Sequence, residues 1–265
     1  MGTLLKVLVH GATGKMGMEV LSAVTKQADM RVVAGVSNTD VLTYIETTGS
    51  DPIPISNNLE QKITDHEPDV IVDFTNSEAA MKASRTASSL GVDLVIGSTG
   101  FTKENVVEIE KLAATNGTSV FMASNFAIGA ILIMQMSKLV GKFFDYADIV
   151  EMHHEAKIDS PSGTALSIAN KLLEDRDTSF TRTTTEKETI EGTRGGETGG
   201  VTIHSVRMPG RMAHHQVVLG TQGQTLTLSH DTINRECYMP GVTLAIREVV
   251  KNKGVMIGLE KLLGL

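Results

Sequence analysis

The sequence predicts an α/β chain in two parts: a doubly wound parallel sheet first, then an α+β domain with a mainly antiparallel sheet. Three observations predict it. Short, continuously apolar, β-branched runs alternate with amphipathic stretches up to residue 123, as parallel strands covered by helices on both faces require. A glycine turn, Gly11–Gly17, joins the first run to the first amphipathic stretch, which makes the sheet Rossmann-type. After Asn125 the helical stretches no longer separate each pair of runs, and the runs alternate.

In order, the strands expected in the first part are Lys6–His10, Arg31–Val36, Asp69–Thr75, Asp93–Ser98 and Ser119–Ala123. The helices between them are Lys15–Lys26, Glu78–Leu90 and Lys103–Asn116. In the last, Val106, Ile109, Leu112 and Ala113 recur at spacings of three and four, with Glu104, Glu108 and Lys111 on the other side. Asp51–Pro54 reads as a loop and Asn58–His66 as a short helix. Beyond the boundary near residue 125 come a long helix, Ile128–Phe144, a strand, Asp148–His153, and a helix beginning near Pro161, with Ser160 as its cap. Residues 176–200, rich in Thr, Glu, Arg and Gly, read as a mobile loop. Three strands, Val201–Met208, Gln216–Thr221 and Thr225–Asp231, follow, then helices at Val242–Lys251 and Leu259–Leu263.

Composition narrows the function classes. A net charge of -7 argues against a nucleic-acid footprint. The longest apolar run, Phe126–Met134, falls short of the roughly 20 residues that cross a bilayer. The N-terminus has no signal-peptide organisation, and the single cysteine, Cys237, fits a reducing compartment. A cytoplasmic protein with no membrane or nucleic-acid partner is expected.

Gly11-Ala12-Thr13-Gly14-Lys15-Met16-Gly17 is a GxxGxxG variant of the dinucleotide fingerprint, set between a strand and a helix as that motif requires. Its glycines permit the tight turn, and the helix N-terminus receives the pyrophosphate. An acidic residue ending the second strand would grip ribose hydroxyls and favour NAD. Here the strand ends Val36-Ser37-Asn38-Thr39, with Asp40 beyond it. Ser37 or Asn38 can donate to a 2′-phosphate, and Lys15 is the nearest cation, so NADPH is expected and NADH stays open. Gly97-Ser98-Thr99 and Ala123-Ser124-Asn125-Phe126 end later strands at the crevice side, where small residues suit the nicotinamide half.

Glu151 to Ala165 (EMHHEAKIDSPSGTA) packs two histidines, a lysine and a helix start into one segment. His153 or His154 titrates near neutrality, as general acid–base work needs. Lys157 brings a positive charge or a proton. Gly163 and Thr164 offer backbone N–H groups, and Thr164 a hydroxyl, to a carboxylate. A small dianionic substrate fits this set. No HExxH or CxxC spacing is present, so no metal is expected.

This segment resembles the E-x-H-H-x-x-K-x-D-[AS]-P-S-G-T-A signature of the 4-hydroxy-tetrahydrodipicolinate (dihydrodipicolinate) reductase family. The glycine turn, Gly97–Phe101 and Ser124–Gly129 match the same family in order, and Gly199-Gly200 and Arg207 match more loosely. The resemblance implies NADPH- or NADH-dependent reduction of (2S,4S)-4-hydroxy-2,3,4,5-tetrahydrodipicolinate to tetrahydrodipicolinate, with loss of water, in lysine and diaminopimelate synthesis. It implies His153 as acid/base and Lys157 as a second proton donor. His154, Gly163 and Thr164 become substrate-binding residues, and Gly11 to Met16, Gly97 to Thr99 and Ala123 to Phe126 cofactor contacts. It also implies a homotetramer, with residues 1–125 and 240–265 binding the dinucleotide and 126–239 serving substrate binding and oligomerisation. The family's Glu near Ser37 and Asn38 is absent here, which leaves cofactor preference undecided. The alternative from another class is a non-catalytic NAD(P)-binding sensor, which would need neither His153 nor Lys157.

Overall fold

The computed structural model describes residues 4–38, 43–46 and 51–265. Two compact units divide the chain: Met1–Ala127 with Tyr238–Leu265, and Ile128–Cys237.

The first unit follows a strand–helix alternation. Its elements are β1 (Leu5–His10), α1 (Lys15–Thr25), β2 (Met30–Val36), β3 (Tyr44–Ile45), β4 (Ile53–Ser56), α2 (Leu59–His66), β5 (Val70–Asp73), α3 (Ser77–Ser89), β6 (Asp93–Ile96), α4 (Lys103–Asn116) and β7 (Ser119–Met122). The central strands are apolar throughout because both faces are covered: Val7, Leu8, Val9, Val70, Ile71 and Val72 are fully buried. β1 lies between β2 and β5 and runs parallel to both, Val7 pairing with Val32 and with Val70. β6 and β7 continue in parallel beyond β5. The strand order therefore reverses at β1, and the turns after β1 and β5 flank the crevice such a reversal creates.

Strands also lie where the sequence reads loop or nothing, β3 and β4 among them. Pro52 and Pro54 suggest a loop, yet β4 pairs in parallel with β2 through Gly35–Ile55 and Val36–Ser56. Near the sheet edge a proline is tolerated, and burial of Ile53 and Ile55 stabilises the strand. In the second unit, α5 (Ile128–Gly141) leads to β8 (Tyr146–His153), α6 (Gly163–Leu173), β9 (Gly196–Thr198), β10 (Val201–Arg207), β11 (Ala213–Thr221) and β12 (Gln224–Thr232). The chain then re-enters the first unit with α7 (Met239–Val249), β13 (Gly254–Ile257) and α8 (Glu260–Leu263). The four residues of β13 carry too short a signal to read. They form a strand because β7 has an open edge, against which Gly254–Ile257 pair with Ser119–Met122.

In the second unit the sheet order is β12-β11-β8-β10-β9. All its neighbours are antiparallel except β8 and β10. Alternation along β8 decides its two faces. Ala147, Ile149, Glu151 and His153 are buried, and Asp148, Val150 and Met152 are half-buried. Ile133 of α5 and Ile168, Ala169 and Leu172 of α6 build the core on the buried face together with Ile149, Val217 and Leu219. α5 ends at Gly141, short of Phe144, and the helices meet closely there: a Cβ at Gly141 would lie 2.6 Å from the Leu172 carbonyl oxygen.

Residues 176–200, read as a free loop, are tied down at both ends. The Arg176 guanidinium stands 3.8 Å from the centroid of the buried Phe180 ring. The Phe180 N–H donates to Gly199 O (2.9 Å) and the Thr181 N–H to Asp145 O (2.8 Å). Gly196–Thr198 then pair with β10. Composition missed this because one aromatic ring and one guanidinium anchor the segment.

Ile149 is fully buried at the centre of the second unit's core. Ile149→Ala is expected to lower stability by about 2–5 kcal/mol in urea unfolding; a loss under about 1 kcal/mol would contradict this core assignment.

Candidate functional site

The first unit's candidate residues begin with the glycine turn. Gly11 takes φ +85°, and a Cβ there would lie 2.8 Å from Phe74 O. The Gly11 and Ala12 N–H groups both donate to Val36 O, at 2.9 and 3.0 Å, which pins the turn to the tip of β2. Gly14 is the N-cap of α1 and provides no side chain to cap it. A Cβ at Gly17 would sit 2.1 Å from Gly11 O, so the third glycine lets the helix close onto the turn. The first turn of α1 contains no acidic residue. Its free N–H groups, Lys15 to Gly17, thus meet no anion from within that turn and suit a pyrophosphate. A nicotinamide dinucleotide fits this cradle because backbone alone lines its closest approach.

The other expected cofactor residues lie on turns at the same carboxyl edge of the sheet. The Ser37 hydroxyl is buried against that of Thr13, while Asn38 is exposed; Thr39 and Asp40 lie outside the described residues. Gly97 passes over the Phe74 ring so closely that a Cβ would come within 2.1 Å. Ser98 is buried, and Thr99 and Ser124 are exposed. Asn125 accepts the Ala127 N–H at 2.9 Å. Ala123 and Phe126 are buried, Phe126 packing on the rings of Phe74 and Phe121. Under these turns lies a network that sequence reasoning missed. His10 Nδ1 lies 2.6 Å from Asp73 Oδ2, and the fully buried Asp73 also accepts from the hydroxyls of Ser98 and Thr75. Its signal was polar residues ending otherwise apolar strands.

The second unit's candidate residues are built on β8. His153 is its last residue, in register with Arg207 of β10 and Ala213 of β11. Glu151, two residues earlier on the same face, is fully buried. Its carboxylate accepts from His153 Nδ1, from Arg207 Nη1 (3.0 Å) and Nη2 (2.8 Å), and from the Ser162 N–H (3.3 Å). Arg207 Nη2 also donates to Asp159 O at 2.8 Å, which holds the segment after His153. The His215 ring stands edge-on to that of His153, centroids 5.4 Å apart, with its Nε2 3.2 Å from the Ser162 hydroxyl.

The helix start differs from expectation. Ser162 caps α6, its hydroxyl accepting the Ala165 N–H at 3.1 Å. Ser160 and Pro161 precede the cap and are joined by a cis peptide. Ser162 takes the role because its N–H is held by Glu151 and its hydroxyl by His215. Gly163 and Thr164 are therefore the first two helical residues, with N–H groups no intrahelical carbonyl can reach. His154 is exposed, and its carbonyl accepts the Lys157 N–H (3.2 Å). Lys157 Nζ donates to Asp159 Oδ1 at 2.6 Å.

The electrostatics follow from burial and this wiring. Burial by itself would raise Glu151, but hydrogen bonds from Arg207, Ser205 and His153 outweigh it and hold the carboxyl below the usual range. Burial lowers His153, with Glu151 opposing and Lys157 and Arg207 adding to the fall. His215, more deeply buried and beside His153, is pushed down to about 4. With Nδ1 donating to Glu151, His153 keeps Nε2 as the nitrogen that exchanges protons. Sequence reasoning missed Glu151, Arg207 and His215 as members of this group; the spacing Glu151-x-His153, which puts both on one strand face, was the available signal.

Other candidates fall away from the site. His214 pairs with Asp231 (2.6 Å), on the face opposite His215. Burial raises the Cys237 thiol, which is the wrong direction for a nucleophile.

Comparison with known proteins agrees along the whole chain. Residues 5–126 match the family model described as dihydrodipicolinate reductase, N-terminus, and residues 129–263 match the one described as its C-terminus. A 4-hydroxy-tetrahydrodipicolinate reductase of Dehalococcoides mccartyi is 45% identical over 264 residues, covering 99% of this chain and 100% of that one. One from Syntrophomonas wolfei is 40% identical, covering 97% and 98%. A solved dihydrodipicolinate reductase from Paenisporosarcina sp. TG-14, bound to dipicolinate, superposes with a TM-score of 0.86 at 38% identity, covering 98% and 99%.

Two outcomes follow from the wiring around Glu151. Glu151→Gln removes the charge that favours protonated His153, so the His153 resonance is expected to titrate at lower pH by NMR; an unchanged or higher midpoint would contradict the coupling. For His215 the folded value of about 4 lies below the unfolded 6.5, so its stabilisation is present above pH 6.5 and is lost as pH falls toward 4. The loss amounts to about 3 kcal/mol. His215→Gln is expected to flatten the pH dependence of urea unfolding across this window by that amount, and parallel curves for variant and wild type would refute it.

Proposed function

The chain belongs to the dihydrodipicolinate reductase family, and from that premise we propose the residues that perform its chemistry. The reaction is reduction of (2S,4S)-4-hydroxy-2,3,4,5-tetrahydrodipicolinate to tetrahydrodipicolinate with loss of water, in lysine and diaminopimelate synthesis. Either NADH or NADPH supplies the hydride.

A hydride and one proton enter the substrate. The 4-hydroxyl leaves as water with a second proton, and the ring gives up one carbon-bound proton in that elimination. The net change is one hydride and one proton gained and one water lost. His153 is the acid for the first proton. Its Nε2 is the exchanging nitrogen because Nδ1 is held by Glu151, and this oriented imidazole is the observation that carries the reading. Lys157 is the second donor and suits the departing hydroxyl. The Gly163 and Thr164 N–H groups and the Thr164 hydroxyl receive one substrate carboxylate at the N-terminus of α6. His154 belongs to the same substrate-binding set. The dipicolinate held by the Paenisporosarcina relative is a planar dicarboxylate, which supports a substrate of that shape and charge.

In the first unit, Gly11 to Met16 hold the pyrophosphate, Ser37 and Asn38 border the adenosine, and Gly97 to Thr99 with Ala123 to Phe126 border the nicotinamide. In the buried members, Ala12, Ser37, Ser98, Ala123 and Phe126, the contribution is backbone and shape. The assembly is a homotetramer, formed through the second unit's sheet. The half-buried residues Val150, Met152 and Val218, on the face away from α5 and α6, support that surface. The cytoplasm is the proposed location. Among the described residues no helix is long and apolar enough to cross a membrane, and the single cysteine suits a reducing compartment.

His153→Gln and Lys157→Met are each expected to lower kcat by roughly 10²–10⁴-fold while NADPH binds as in wild type. Turnover near wild type in either variant, followed at the reduced-nicotinamide absorbance, would remove that residue from its role. A protein that binds NADPH yet never turns over the substrate would instead be the sensor alternative.

A further inference from the structure

Beside the tip of β2 the first unit contains a cavity of about 330 Å³. Val36 and Ala83 lie on its buried side, and Asn38 and Lys82 on its exposed rim. Along α3, Ala79, Lys82, Ala83 and Thr86 recur at helical spacing on the lining. Two alanines leave the slot open and one cation stands at its edge. Val36 is also the residue whose carbonyl accepts the Gly11 and Ala12 N–H groups, and Ser37 meets Thr13. The cavity therefore shares a wall with the glycine turn.

We propose that this cavity takes the adenosine end of the dinucleotide and that the Lys82–Glu78 pair decides how NADPH and NADH compare. The proposal rests on the reading of the first unit as the dinucleotide-binding one. A 2′-phosphate brings close to two negative charges at neutral pH and needs a cation to repay its desolvation. Ser37 and Asn38 are uncharged, so these two neither repel the phosphate nor pair with its charge. Lys82 Nζ lies 2.9 Å from Glu78 Oε1, and the two side chains are 71% and 81% exposed. A pair that open is held weakly. Lys82 can thus exchange Glu78 for a phosphate oxygen at small cost. With NADH the pair stays closed, or Glu78 accepts from the ribose 2′-hydroxyl. The result is an adenosine site that binds both forms, with its preference set from α3 instead of from the strand tip.

Titration calorimetry with 2′,5′-ADP and with 5′-AMP isolates the 2′-phosphate, and NADPH serves as the reference ligand. Lys82→Met is expected to weaken 2′,5′-ADP about tenfold while leaving 5′-AMP within about twofold. Glu78→Gln is expected to tighten 2′,5′-ADP by roughly threefold. Equal loss of both fragments in Lys82→Met, or no loss of either, overturns the proposal. So does a phosphate-specific loss that appears in Lys15→Met and not in Lys82→Met. If the wild type binds neither NADPH nor its fragments, the dinucleotide reading of the unit fails as well, which separates that failure from this one.

Discussion

One buried carboxylate organises the second unit's chemistry. Glu151 has no solvent, and its polar neighbours turn toward it: the Arg207 fork, the His153 ring, the Ser205 side chain and the Ser162 N–H. A buried charge is tolerated only when it is paired and fully hydrogen-bonded, so these partners have little freedom to be elsewhere. The carboxylate thereby sets the imidazole's orientation, the start of α6 and, through Arg207, the path of the segment from His154 to Asp159. A structural demand and a chemical one are met by the same group.

In the first unit the governing constraint is close approach of backbone to backbone. The glycine turn hangs from one carbonyl, Val36 O. The third glycine packs against the first, Gly35 lies against Ala12 and Ile55, and Gly97 against the Phe74 ring. Any side chain at Gly17, Gly35 or Gly97 would push apart elements whose spacing defines the cradle. Beneath them, Asp73 ties His10, Thr75 and Ser98 together, so the turns after three parallel strands are joined by one carboxylate. Both units thus use a buried acid at strand ends to hold loops in place.

The second unit shows how little sequence is needed to order a long connection. Thr, Glu, Arg and Gly dominate residues 176–200, yet Phe180 is buried and covered by Arg176, and β9 closes the far end. Apolar burial plus cation–π contact at a single position offsets the entropy of the polar remainder. On the other side of the sheet the alternation of β8 leaves a half-covered face, because α5 and α6 occupy only the opposite one.

The sequence by itself determined the periodicities: continuous apolar strands, amphipathic helices, the GxxGxxG turn and the compact segment with His153, Lys157, Gly163 and Thr164. These are local signals, readable because strand and helix repeats and turn glycines act over a few residues. What only the tertiary structure decided were the partners. β4 and β13 exist because neighbouring strands had edges to fill. Ser162 displaced Ser160 as the cap because Glu151 and His215 converge on it. Arg207, far from Glu151 in sequence, became its counter-ion because β10 runs parallel to β8 in one particular register. Lys82 came to border the cavity at β2 through the packing of α3. Pairing across dozens of residues leaves no local periodicity, so charge satisfaction inside a buried face had to be seen in three dimensions.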